Sequence, residues 1–218
     1  MCGIHAVVSQ SSENHLGSDF ERCLCNRGPD HLGRVTTELR HDAHSLYVTL
    51  TSTVLSLRGD SVTRQPLQDR ATGSTLCWNG EAWKIDGTPV QGNDGQAVLQ
   101  RLSSASKISE EAFLDAIRSI DGPFAFVYLD KETSTLYYGR DRLGRRSLLV
   151  NRTDSILLSS IADQSTAGWV EVEADGFYKI HLEPGEFKAN CNPTRIDWTT
   201  NNELVRPPEA SKQRIKVN

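Results

Sequence analysis

Hydrophobic and polar residues alternate along much of this 218-residue chain, and the pattern predicts a protein rich in β-strands. Gly3 to Val8 is a short apolar run that is typical of a buried strand. Residues 44–57 place Leu46, Val48 and Leu50 between polar neighbours and are rich in β-branched types, which predicts one long strand. Further strands are predicted at 74–78, resuming at 81–85 after Asn79-Gly80, and at 123–130, 135–140, 147–151, 156–160 and 176–182.

Helical patterns separate groups of these strands. A helix is predicted at 16–25, where it is ended by Asn26-Arg27-Gly28-Pro29-Asp30, and two more are predicted at 95–104 and 109–120. Because the strands follow one another as hairpins, with helices between the groups, the pattern indicates an α+β layered sandwich rather than alternating βαβ units. From residue 183 the chain becomes polar and contains four prolines. We therefore assign residues 2–182 to a domain and residues 183–218 to a polar C-terminal extension or linker.

The composition is that of a soluble globular protein, with 37% hydrophobic and 24% charged residues. A net charge of -4 gives no basic surface for nucleic acid or an anionic membrane, and no apolar run approaches the ~18 residues of a membrane helix. The five cysteines are odd in number and lack CxxC spacing, and the histidines lack metal-site spacing. We expect a cytoplasmic protein without disulfides, metal or nucleic-acid partners.

Cys2 is the first candidate for chemistry. Removal of Met1 would expose a residue that carries both a thiol and an α-amine with a pKa near ~7.7, so that one residue could supply nucleophile and base. Gly3 would leave space for an incoming substrate. The alternative is that Cys2 is an ordinary buried cysteine after a start methionine.

Five short motifs, the first of which contains Cys2, occur in order along the chain: MCGI at the start, NRGPD at 26–30, WNGE at 78–81, ND at 93–94 and GRDRLGRRSL at 139–148. In this order the chain resembles class II glutamine amidotransferases, most closely the asparagine-synthetase branch and, within it, the asparagine synthetase domain-containing proteins. The resemblance to the asparagine synthetase domain-containing proteins rests on the VLSLRGD run, the following QPL and the GRRSLL segment. The likeness covers about residues 1–182.

The resemblance implies a four-layer αββα sandwich of the N-terminal-nucleophile hydrolase type and hydrolysis of glutamine to glutamate and ammonia through a Cys2 thioester. In such a site the side-chain amide of Asn79 and the backbone N–H of Gly80 would stabilise the oxyanion, a task in which one donor is worth ~100- to 1000-fold in rate. Taken alone, Asn79-Gly80 would instead predict a type I′ hairpin turn.

The substrate-binding residues also follow from the resemblance. Glu81 and Asp94 match the acidic pair that binds the α-ammonium group of the substrate. Arg27 matches the arginine of a loop beside the nucleophile, where its charge would favour the thiolate. The GRDRLGRRSL segment is interpreted as a tight turn between strands or a docking surface.

One position departs from the asparagine synthetases. Their carboxylate-binding arginine falls on Leu55 here, and the nearest arginine is Arg58, three residues on, which an ideal strand would point to the opposite face. A bulge could turn Arg58 towards Cys2, and we carry it as the substitute.

Three functions stay open at this point. The first is a glutaminase domain that supplies ammonia for asparagine biosynthesis to a synthetase domain, in cis or in trans. Such a domain would use ATP and Mg, but the present chain has no SGG or GxxxxGK sequence and no cofactor is expected in it. The second is a weak or inactive interaction module of the same fold, and the third is a hydrolase of another amide, against which the acidic pair argues.

Overall fold

The structure, a computed structural model, describes residues 1–12, 16–153, 155–163, 166–188 and 192–199. Two six-stranded antiparallel sheets form its centre. The first sheet has the spatial order β13 (Val170–Glu171), β11 (Leu149–Arg152), β12 (Ile156–Ser159), β1 (Gly3–Ser9), β3 (His44–Val54) and β2 (His31–His41). The second has the order β15 (Thr194–Asp197), β14 (Gly176–His181), β10 (Thr135–Arg140), β9 (Phe124–Asp130), β5 (Thr75–Gly80) and β4 (Leu67–Gln68).

Three helices and a small sheet complete the described part of the chain. The helices are α1 (Ser18–Cys25), α2 (Asp94–Ser106) and α3 (Glu110–Arg118), and the small sheet joins β7 (Thr88–Pro89), β6 (Lys84–Ile85) and β8 (Ile120–Asp121). Each of α2 and α3 begins at a polar cap, because the side chain of Asn93 accepts from Gln96 N and that of Ser109 accepts from Ala112 N. Among the described residues, no helix is long and apolar enough to cross a membrane.

The layers follow from two apolar clusters. One lies between the sheets and joins Ile4 and Leu50 of the first sheet to Val127 of the second. The other lies on the outer face of the second sheet, where α2 and α3 pack with Leu102 and Phe113. Since α1 covers the outer face of the first sheet with Phe20 and Leu24, the order is helix, sheet, sheet, helices. This arrangement confirms the predicted α+β four-layer sandwich.

Two strand predictions need correction. The strand predicted at 44–57 ends at Val54. Residues 55–58 lie outside the strand, so their side chains need not alternate between the two faces of the sheet. Residues 79 and 80 do not break the sheet: both belong to β5, opposite Ala125 and Phe124, and neither has a positive φ. The type I′ turn, which requires positive φ at both positions, is therefore wrong.

Strand β2 was not expected from the sequence. It is an edge strand, and its residues alternate between exposed and half-buried over most of its length, so that it lacks the apolar row by which a buried strand is recognised.

The segment assigned to the C-terminal extension also contains packed structure. Residues 194–197 form β15, which pairs with β14, and Trp198 is buried beside Phe124 and Phe177. The packed part of the chain therefore continues beyond the boundary proposed at residue 182, while residues 200–218 of the extension lie outside the described residues.

Candidate active site

One pocket, at the end where β3 and β5 leave their sheets, brings together residues far apart in the sequence. Six of the seven residues singled out from the motifs line it, namely Cys2, Arg58, Asn79, Gly80, Glu81 and Asp94. The seventh, Arg27, lies beside it and contacts Cys2. The wall thus combines a thiol, an amide, two carboxylates and a guanidinium group.

Cys2 is placed at the pocket by the strand that follows it. In β1, Gly3 pairs with Thr53 of β3, so Cys2 lies next to the residues that follow Val54. Its Sγ–H donates to the main-chain oxygen of Leu55 at 3.8 Å. Burial raises the pKa of the Cys2 thiol, as does the nearby Asp94 carboxylate, while the charges of the N-terminal ammonium and Arg27 oppose that rise. The balance of these effects favours the neutral thiol over the thiolate.

Gly3 does not provide space for a substrate. A Cβ at this position would lie 2.4 Å from Thr53 Oγ1 and 2.8 Å from Leu24 Cδ1, and the residue is buried. The absence of a side chain allows β1 to approach β3 and α1 closely, and the expectation of open space beside the pocket at Gly3 is wrong.

Arg27 reaches Cys2 from the turn at 26–30. Its Nε–H donates to the main-chain oxygen of Cys2 at 3.3 Å, and its Nη2 is buried without a hydrogen-bond partner. Burial lowers the pKa of Arg27, and the Cys2 thiolate would act in the opposite direction. The turn is fixed against β3, because a Cβ on Gly28 would lie 2.5 Å from Val54 N and Asp30 N donates to Val54 O. This packing brings the guanidinium to Cys2.

Asn79 and Gly80 occupy the last two positions of β5. The Asn79 side chain is 1% exposed, and its Nδ2 has no hydrogen-bond partner. Trp78 N donates to Gln65 Oε1 and Glu81 N donates to Pro123 O, on opposite edges of the strand. Since successive N–H groups alternate between edges, the Gly80 N–H points to the same edge as that of Trp78, away from β9. Two donors at the pocket are therefore left for another acceptor.

Asp94 is buried and held on one of its two oxygens. Its Oδ2 accepts from Trp78 Nε1 at 2.8 Å and from Ala82 N at 2.9 Å. Glu81 is half-buried and accepts at Oε2 from Trp83 Nε1 at 3.4 Å. These contacts put two carboxylates into the same wall of the pocket.

Arg58 lies four residues beyond the end of β3, so the facing rule of an ideal strand does not apply to it. The side chain turns into the pocket and donates from Nη1 to Ala82 O at 3.3 Å and from Nη2 to Val90 O at 3.2 Å. Leu55, at the position of the expected arginine, lines the same pocket. Arg58 thus lines the same pocket as Cys2 through the chain that follows β3, and its role in binding stays a prediction.

The segment at 139–148 forms the predicted tight turn and supports the end of the second sheet. The buried Asp141 carboxylate accepts from Phe124 N at 3.0 Å and from Arg145 Nε at 2.9 Å, and Arg145 Nη2 donates to Gly122 O at 2.8 Å. Because Phe124 pairs with Gly80, these bonds fix the strand opposite the two free donors.

Sequence reasoning did not single out Arg146 or Gln65, which also line the pocket. Arg146 lines it with a half-buried side chain, and its charge lowers the pKa of Arg27. Gln65, which is 7% exposed, accepts from the backbone of β5 just before Asn79. Both lie in segments used for the resemblance, yet nothing in those local patterns indicated a place beside Cys2.

No group of three or more His, Cys, Asp and Glu side chains suited to a metal ion occurs in the described part of the chain. Cys2, Cys23, Cys25 and Cys77 are free thiols, and Cys191 lies outside the described residues.

Known proteins are similar to this chain in sequence and in fold. The profile of the family described as "Glutamine amidotransferase domain" matches residues 1–175. The chain is 36% identical over 208 residues to asparagine synthetase domain-containing protein 1 of Bos taurus, covering 91% of this chain and 31% of that protein. The Homo sapiens protein of the same name is 35% identical over 194 residues, with 84% of this chain and 29% of that protein covered. The chain therefore spans about a third of the length of these curated relatives.

Solved structures agree on the architecture. The glutamine phosphoribosylpyrophosphate amidotransferase from B. subtilis, complexed with ADP and GMP, superposes with a TM-score of 0.62 at 16% identity, covering 92% of this chain and 50% of that one. A structure described as the allosteric regulatory enzyme of purine biosynthesis gives a TM-score of 0.64 at 15% identity. At such identities the likeness concerns the fold alone. With the profile match over most of its length, the chain belongs to the glutamine amidotransferase domain family and has the fold of an N-terminal-nucleophile amidotransferase.

Proposed function

We propose that this protein hydrolyses glutamine to glutamate and ammonia with Cys2 as the nucleophile. The observation that carries the proposal is the wall of a single pocket, where the thiol of Cys2, the unpartnered amide of Asn79 and the carboxylates of Glu81 and Asp94 meet. Hydrolysis of the side-chain amide of a zwitterionic amino acid needs such a set: a nucleophile, oxyanion donors and negative charges for the α-ammonium group.

In the proposed reaction the Cys2 α-amine, once freed from Met1, takes the thiol proton as Sγ attacks the side-chain amide carbon of glutamine. The resulting oxyanion accepts from Asn79 Nδ2 and the Gly80 N–H. When the intermediate collapses, the C–N bond breaks, the amide nitrogen takes the proton from the α-ammonium and ammonia leaves. Water then attacks the thioester, releasing glutamate and restoring the thiol.

The charges of the pocket would orient the substrate. Asp94 and Glu81 would bind its α-ammonium group, and Arg58 its α-carboxylate. Arg27 would lower the pKa of the thiol, against the effect of burial. We further propose that the ammonia serves asparagine biosynthesis in the cytoplasm, through an ATP- and Mg-dependent synthetase module in cis or in trans. The names of the relatives support this part.

The reaction is tested with an electrophilic glutamine analogue, 6-diazo-5-oxo-L-norleucine, followed by intact mass and peptide mapping, with glutamate release measured in parallel. We expect stoichiometric loading at Cys2 and none in Cys2→Ala. Cys25→Ala is the matched control, because Cys25 is a half-buried thiol on α1 whose loss should leave loading unchanged.

Two other outcomes would overturn the proposal. Absence of both loading and glutamate release from protein that begins at Cys2 would favour an inactive interaction module. Loading only by acyl electrophiles unrelated to glutamine would favour a hydrolase of a different amide.

A further inference from the structure

A buried hydrogen bond joins the core of the second sheet to the charged wall of the pocket. The indole Nε1–H of Trp78 donates to Asp94 Oδ2 at 2.8 Å, and the partners are 2% and 6% exposed. The N–H of Ala82 donates to the same oxygen at 2.9 Å. Hydrogen bonds to a charged group are stronger than those between neutral groups, so both donors contribute to the orientation of this carboxylate.

Trp78 and Ala82 donate to the same oxygen of Asp94, and this shared acceptor fixes the orientation of the carboxylate in the pocket. Asp94 is the first residue of α2, directly after the cap Asn93, so its backbone is fixed by the helix start. Rotation of the carboxyl group would break the bonds from Trp78 and Ala82 together. With Oδ2 engaged, Oδ1 is the atom left for a cation in the pocket that Asp94 shares with Cys2.

Trp78 itself is held independently of Asp94. Its ring stacks on Phe124 with centroids 5.0 Å apart and an interplanar angle of 23°. Its backbone N–H donates to the buried Gln65 at 2.8 Å. The indole N–H is therefore presented from a rigid strand, as a positioning group requires.

We propose that Trp78 is a positioning residue for recognition of the α-ammonium group: its indole N–H holds the Asp94 carboxylate in the orientation that binds the substrate cation. This inference rests on the proposed glutaminase function. It concerns the selection of α-amino acids over analogues that lack the amino group, and leaves the attack by Cys2 unchanged.

The test compares Trp78→Phe with wild type on glutamine and on glutaramate, the same amide without the α-amino group. Phenylalanine retains an aromatic ring against Phe124 and removes the N–H. We expect KM for glutamine to rise about tenfold, the effect of losing ~1.4 kcal/mol of binding. We expect kcat for glutamine and kcat/KM for glutaramate to stay within about twofold of wild type, because neither depends on the ammonium contact.

Trp198→Phe is the matched control. Trp198 is also a buried indole against Phe124, but its Nε1 donates to Ala174 O at 3.0 Å and does not reach Asp94. Its substitution should alter the free energy of unfolding by a similar amount and leave the preference for glutamine unchanged. If Trp78→Phe does not fold, 3-benzothienylalanine at position 78 replaces the N–H by sulfur in nearly the same shape.

The outcomes separate the two proposals. Equal losses on both substrates, or no change in KM for glutamine, would overturn the role of Trp78 while leaving the glutaminase function intact. No glutamine hydrolysis by wild-type protein that begins at Cys2 would overturn the function and this inference with it.

Discussion

Arg27 and Cys2 are joined by a hydrogen bond from the guanidinium Nε to the main-chain oxygen of the cysteine, 3.3 Å long. The contact connects residues 25 positions apart and places a cation beside a thiol whose pKa is raised by burial. A buried thiol that stays protonated cannot act as a nucleophile unless a base takes its proton. In the proposed mechanism that base is the α-amine of Cys2, so the state of the N-terminus controls activity.

We predict that the active protein begins at Cys2. While Met1 is present, the Cys2 nitrogen is part of a peptide bond and cannot serve as a base, and Met1 itself lines the pocket. N-terminal sequencing and intact mass of active material should show removal of Met1. Full glutaminase activity in protein that retains Met1 would contradict the single-residue mechanism.

We predict that Cys2→Ala abolishes glutamine hydrolysis and preserves the fold. The thiol is the proposed nucleophile, and its removal deletes only the sulfur of a half-buried residue, with its 3.8 Å contact to Leu55 O. Glutamate release and the thermal midpoint are the two measurements. The buried Cys77, whose pKa is raised to about 12 by burial, is the comparison: Cys77→Ala should lower stability and leave hydrolysis intact. Activity in Cys2→Ala above a few per cent of wild type would exclude Cys2 as the nucleophile.

We predict that Asn79→Ala lowers kcat by ~100- to 1000-fold and changes KM little, because its amide would act mainly on the transition-state oxyanion. The Nδ2 atom has no hydrogen-bond partner in the structure, so its removal breaks no hydrogen bond of that atom. Steady-state kinetics with glutamine separate the two constants. Asn151→Ala is the control, since Asn151 is equally buried and its Nδ2 donates to Ala167 O. A change confined to KM would make Asn79 a binding residue.

We predict that Arg58→Ala raises KM for glutamine by at least about tenfold, the equivalent of ~1.4 kcal/mol. Its guanidinium is held by Ala82 O and Val90 O at the edge of the pocket, and the substrate α-carboxylate needs a cationic partner. The exposed Arg64 provides the control variant Arg64→Ala. If Arg58→Ala left KM unchanged while Arg146→Ala raised it, the carboxylate partner would be Arg146.

We predict that acid weakens the fold partly through His5. Burial, together with the charge of Arg34, lowers the pKa of His5 from 6.5 to about 4. Between these two pH values His5 binds a proton in the unfolded chain and stays neutral in the folded protein. The contribution of His5 to the free energy of unfolding is therefore complete above pH ~6.5 and is lost as the pH falls towards ~4, by ~3 kcal/mol in total.

The test for His5 is urea unfolding at pH 7 and pH 4.5. His5→Gln should lose less free energy of unfolding over this interval than wild type does. His44→Gln, at an exposed histidine, should follow the wild-type dependence. Parallel curves for wild type and His5→Gln would refute the assignment.

Much of the fold could be predicted because its signals are local. Strand β9 and helix α3 were located within one or two residues, since an apolar run and a Ser109 cap depend on neighbouring residues only. Strand β2 was missed because, at an edge, its residues face solvent on one side. Strand β15 lies in a polar, proline-containing segment and is stabilised by pairing with β14 and by the burial of Trp198.

The sequence by itself determined which chemistry the chain carries: a cysteine at position 2, an Asn-Gly-Glu run and an aspartate before a helix, in the order of a known family. Only the tertiary structure decided that they share one pocket. The pairing of Gly3 with Thr53 brings Cys2 to the end of β3 across 50 positions of chain, and the bonds from Trp78 and Ala82 bring Asp94 to the end of β5. Such contacts depend on sheet register, which local periodicity does not contain. The direction of Arg58, the approach of Arg146 and the bond from Trp78 to Asp94 were decided in the same way, by packing between distant segments.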